Sequence, residues 1–77
     1  MSTHIVYGSE YLSKRLREHR LRLGMPLSWV AGIVDIPEKN LEEYEQGAKS
    51  ITKEELIKLS DLYQVSPRYF LGGISIN

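Results

Sequence analysis

Apolar residues recur along this chain at helical rather than strand spacing. Leu12, Leu16, His19 and Leu23 follow at intervals of four, three and four, which is one face of a helix of about four turns. Ser9 stands where it can cap that helix, and Gly24 where a left-handed residue closes it. Pro26 fits the first turn of a second helix, over about 26–34, with Leu27, Val30, Ala31 and Val34 as its stripe. Asp35-Ile36-Pro37 breaks the pattern, because a residue before proline avoids helical backbone. Pro37 then opens a third helix, over about 37–46, with Leu41 and Tyr44 facing inward and Gly47 ending it. Thr52 and Glu55 have the spacing of a capping box. They introduce a fourth helix that buries Leu56, Leu59 and Leu62 and leans on Ile57 and Tyr63. Ser66-Pro67 starts a short fifth helix placing Tyr69, Phe70 and Leu71. The expected fold class is all-α, with five helices.

The two ends follow another rule. His4-Ile5-Val6-Tyr7 and Ile74-Ser75-Ile76 are alternating and β-branched, and Gly8 and Gly72-Gly73 set them apart. They read either as loose tails or as short strands that pair with each other, in one chain or across two. The division expected is an N-terminal arm over 1–8, a helical domain over 9–71 and a C-terminal tail over 72–77.

Composition narrows the class. At 77 residues there is room for one small domain, too short for a doubly wound enzyme or a barrel. Hydrophobic residues at 42% and charged residues at 26% make the chain too apolar for disorder. It has no cysteine and only two histidines, His4 and His19, so no disulfide framework or metal cluster is expected. No apolar run is long enough for a membrane span or a signal peptide, and a soluble cytoplasmic domain is the expectation. No nucleophile–base pair or phosphate loop stands out, so neither enzyme activity nor a cofactor is expected. Formal net charge is zero, so charge alone promises no nucleic acid. Its distribution is uneven: Lys14, Arg15, Arg17, Arg20 and Arg22 face only Glu10 and Glu18 in the first helix. Asp35, Glu38, Glu42, Glu43 and Glu45 face only Lys39 around the third.

The stretch from Gly24 to Gly47 resembles the helix-turn-helix of the Cro/phage-repressor (XRE) family. It has the family's glycine, then Val30-Ala31, an apolar Ile36 after the turn, and Glu45-Gln46-Gly47, without a gap. Arg20 lies four residues before the glycine, as in the family, and Ile51 to Leu71, including Val65-Ser66-Pro67, matches the two closing helices. The resemblance covers residues 9–71 and implies a five-helix lambda-repressor-like domain. It further implies a transcription regulator that binds double-stranded DNA, usually as a homodimer, and an Arg20–Glu45 ion pair tying helix one to the end of helix three. Ala31 would lie where helices two and three approach. His19 occupies a position that is usually aliphatic, and reads as a satisfied core or boundary residue. Trp29 falls where the family has an outward polar residue, so it would mark a contact.

Several positions depart from the family. The early outward residues of helix three, which the resemblance sets in the major groove, are Pro37, Glu38, Lys39, Asn40, Glu42 and Glu43. Half of them are carboxylates, which repel phosphates. Asn40 can still pair with adenine, Lys39 with guanine, and glutamate can accept from cytosine. Leu27 stands where the family often opens helix two with glutamine, leaving Ser28 to serve there. Phosphate contacts would fall to the helix-one cations and to Lys49, Ser50, Thr52 and Lys53, which otherwise read as a solvated face. The DNA-binding candidates are therefore Ser28, Pro37, Glu38, Lys39, Asn40, Glu43, Lys49, Ser50 and Lys53. Two functions stay open: a dimeric regulator that binds an operator through helix three, and an interaction module whose acidic helix three docks a basic protein partner.

Overall fold

The computed structural model describes residues 6–7 and 10–71, and the side chains of residues 10–70. A two-residue strand β1 (Val6–Tyr7) precedes helices α1 (Glu10–Arg22), α2 (Leu27–Val34) and α3 (Glu38–Gln46); a second short strand β2 (Ile51–Thr52) then leads into α4 (Lys53–Tyr63) and α5 (Pro67–Leu71). The all-α reading holds, with five helices and two two-residue strands among the described residues.

Each helix end has a local cause. Gly24 takes φ 69° after α1, a left-handed backbone that glycine adopts more readily than any residue with a side chain. Asp35 closes α2 in the left-handed region at φ 58°, and Ile36 N–H then donates to the Ala31 carbonyl at 3.2 Å. That geometry is the helix-turn-helix corner, with Ile36 driven into the core at 3% exposure. Gly47 closes α3 at φ 75°, and a Cβ there would touch Ser13 Oγ of α1 at 3.4 Å, so the left-handed backbone rather than crowding is what favours glycine. The α4 start is a complete capping box: Glu55 N–H donates to Thr52 Oγ1 at 3.1 Å, and Thr52 N–H reaches the Glu55 carboxylate.

The core joins Leu12 and Leu16 of α1, Val30 and Val34 of α2, Leu41 and Tyr44 of α3, Ile51, Leu56, Leu59 and Tyr63, and Phe70 of α5. Leu62 and Ala31 pack against it partly buried. Two expected core positions fail. Leu23 lies beyond the end of α1 and is exposed, and Ile57 is 40% exposed on the outer side of α4. Helix α1 simply stops before Leu23 completes the stripe. His19 is half-buried among Tyr63, Tyr69 and Phe70, with Nε2 3.3 Å from the Tyr63 carbonyl and a buried Nδ1 that has no hydrogen-bond partner among the described residues.

The arm differs from expectation. Val6 and Tyr7 pair antiparallel with Thr52 and Ile51, a partner the sequence did not suggest. Ile51 and Thr52 are β-branched and lie extended just before the α4 cap, so they present a backbone edge next to the arm. Ser9, His4-Ile5 and Ile74-Ser75-Ile76 lie outside the described residues, and so does pairing of the tail. No helix among the described residues is long and apolar enough to cross a membrane.

Candidate nucleic-acid interface

Helix α3 is anchored at its C-terminal end. Arg20 of α1 donates from Nε and Nη2 to the two carboxylate oxygens of Glu45, at 2.7 and 2.9 Å, and from Nη1 to the Met25 carbonyl at 2.9 Å. The side chains keep only 12% and 9% exposure. Hydrogen bonding to Glu45 raises the Arg20 pKa further, so the guanidinium stays charged. Three bonds from one planar fork hold together α1, the turn after Gly24 and α3.

With that end fixed, α3 turns its early residues outward. Pro37, Glu38, Lys39 and Glu42 are exposed, and Asn40 and Glu43 are half-buried. Pro37 gives α3 no side-chain cap, and Pro26 gives α2 none. The first backbone N–H groups of both helices therefore have no side-chain cap, and exposed Ser28 lies in the first turn of α2. Lys49, Ser50 and Lys53 are exposed around the loop and strand that lead to α4.

Two groupings emerge that spacing could not show. Lys49 Nζ donates to Asn40 Oδ1 at 3.3 Å, joining the loop to α3. Lys14 and Arg17 of α1 line the same groove, about 950 Å³, as Lys49 and Ser50, with Glu10 and Glu18 among the other walls. The helix-one cations and the loop cation are thus neighbours in space. Lys39, Ser28 and Lys53 make no such contact among the described residues.

Residues outside the candidate set support the loop. Tyr44 of α3 donates to Glu55 Oε1 at 2.6 Å, so the carboxylate that caps α4 also receives the end of α3. Burial first, then that bond, pushes the Tyr44 phenol well above its ordinary pKa. Burial likewise pushes Tyr63 up to about 12. The capping box announced Glu55, but nothing in the spacing announced its second partner. On α1, Arg15 lies over the rings of both Tyr11 and Tyr69, at 4.8 and 4.6 Å, and links α1 to α5. Trp29 is 57% exposed and Ile33 50%, four residues apart on the outer side of α2.

Comparison with known proteins agrees with this geometry. The helix-turn-helix domain family matches residues 12–68, which is most of the chain. This chain belongs to the XRE family of helix-turn-helix domains. It is 39% identical over 61 residues to the HTH-type transcriptional regulator ImmR of Bacillus subtilis, covering 79% of this chain. It spans about half the length of that relative, 48%. In structure it is similar to the N-terminal DNA-binding domain of SinR from Bacillus subtilis, with TM-score 0.79, 20% identity, and 88% and 100% of the two chains covered. It is also similar to the P22 c2 repressor solved with a synthetic operator, with TM-score 0.77, 24% identity, and 86% and 100% covered. The family is one of DNA-binding transcription regulators rather than enzymes.

Proposed function

We propose that this XRE domain binds operator DNA sequence-specifically as a homodimer, in the cytoplasm on nucleoid DNA, with α3 entering the major groove. The observation that carries the reading is the α2–turn–α3 unit. Its corner is locked by Asp35 and Ile36, its far end by Arg20–Glu45, and of its outward residues Pro37, Glu38, Lys39 and Glu42 are exposed while Asn40 and Glu43 are half-buried. A helix held at one end and free at the other is the geometry a groove requires. Lys39 and Asn40 then face base edges, with Glu38 and Glu43 as acceptors for cytosine amino groups. Pro37 sets the angle at which the chain enters α3. Ser28, Ser50 and Lys53 contact phosphates, helped by the N-terminus of α2 and by Lys14 and Arg17 in the groove they line with Lys49 and Ser50. That ImmR is called a transcriptional regulator, and that the P22 c2 repressor was solved on an operator, supports the same reading.

The test is selection from a random duplex library, followed by binding to the winner across salt concentrations and sedimentation of the free protein. An enriched palindrome, a steep salt dependence and a dimer are expected. Failure to enrich any duplex, together with binding of a basic protein that Glu42→Gln and Glu43→Gln abolish, would overturn the proposal in favour of an interaction module.

A further inference from the structure

The contact between Lys49 and Asn40 decides what the amide can offer to a base. An ammonium has donors only, so it pairs with the amide oxygen and fixes which end of Asn40 is which. The Nδ2 group, with two N–H donors, has no partner among the described residues. Lys49 itself forms no ion pair among the described residues, so its charge is not cancelled where it meets α3.

A free asparagine reads adenine with both ends: its oxygen accepts from the N6 amino group and its nitrogen donates to N7. Here the oxygen already accepts from a cation; its second lone pair is open, but an N6 amino group approaching it would bring positive hydrogens against the ammonium, whereas an acceptor would be attracted by it. The major-groove edge of guanine carries two acceptors, N7 and O6, and no donor. The remaining N–H groups of Lys49 and those of Asn40 Nδ2 supply two donors side by side. The geometry points to Lys49 and Asn40 acting as one composite donor fork that selects guanine in the half-site. This rests on the operator reading above and assigns one base within it.

The experiment repeats the duplex selection with the full chain as wild type, Lys49→Met and Asn40→Ala. The wild type is expected to enrich guanine at one position of each half-site. Asn40→Ala should flatten the preference at that position and leave the others. Lys49→Met should free the asparagine oxygen and move the same position from guanine toward adenine, by roughly tenfold in relative enrichment. Lys49 is exposed, so this variant keeps the fold, and an unchanged circular dichroism melt verifies it. Adenine at the Asn40-dependent position in the wild type would overturn the fork, and so would a guanine preference indifferent to Lys49→Met. Both of those results leave operator binding standing. A wild type that enriches no site overturns the operator reading and the fork with it.

Discussion

Tyr44 donates its phenolic proton to Glu55 at 2.6 Å, and Glu55 at the same time closes the capping box of α4 on Thr52. One carboxylate therefore fixes both walls of the loop that carries Lys49 and Ser50. Tyr44→Phe keeps the buried ring and removes only the donor. It should cost about 1.5 kcal/mol, the scale of a hydrogen bond to a charged group. Urea unfolding of the two proteins checks this.

Alkaline pH should unfold the domain through its tyrosines. Tyr44 lies above its ordinary 10.0, and burial pushes Tyr63 up to about 12. A raised folded value means that the native state holds the proton after the unfolded chain has lost it. The resulting stability is complete below pH 10 and is lost as pH rises from there toward 12 and beyond. Each phenol should contribute a slope of about 1.4 kcal/mol per pH unit in that window. Urea midpoints measured at a series of alkaline pH values should fall accordingly, and Tyr63→Phe should make the fall shallower.

Breaking the Arg20–Glu45 pair from one side strands a charge that is about nine-tenths buried. Arg20→Ala and Glu45→Ala should each destabilise by about 3 kcal/mol, the low end for a buried pair. Arg20→Ala should be the worse, because it also orphans the Met25 carbonyl. A double-mutant cycle in thermal unfolding should return coupling well above the few tenths of a kcal/mol of independent sites.

The carboxylates of α3 should act against phosphates. Glu42→Gln with Glu43→Gln should tighten binding to non-specific duplex and hardly change stability, since Glu42 is exposed and Glu43 only half-buried. Lys53→Gln should weaken all duplexes alike and lower the salt slope by about one. Titrations at several salt concentrations separate the two effects.

Gln64 ends α4 with φ 60°, a left-handed backbone, and among the described residues its side chain bonds only the Asp61 carbonyl, at 3.1 Å. Gln64→Gly should relieve the strain and stabilise by about 1 kcal/mol. A higher melting temperature with unchanged DNA binding is the expected result.

Much of this protein is determined locally, and there the sequence alone sufficed. Prolines at 26, 37 and 67, glycines at 24 and 47, and the Thr52–Glu55 box act within one turn of the chain, so the helices lie where periodicity sets them. Arg20 and Glu45 were legible only through the resemblance, because nothing in a separation of 25 residues reveals a partner. Leu23 misled because periodicity says which face a residue would take, not where the helix stops. The arm's pairing with β2 was not legible, because a strand pattern does not say which backbone edge it will meet, and β1 took the edge before α4. The joins that shape the candidate interface were beyond any pattern: Tyr44 to Glu55, Lys49 to Asn40, and Lys14 and Arg17 beside Lys49 and Ser50. Each links residues from different elements. Such contacts exist only after the apolar stripes have packed and brought the polar ends of separate helices within hydrogen-bond reach.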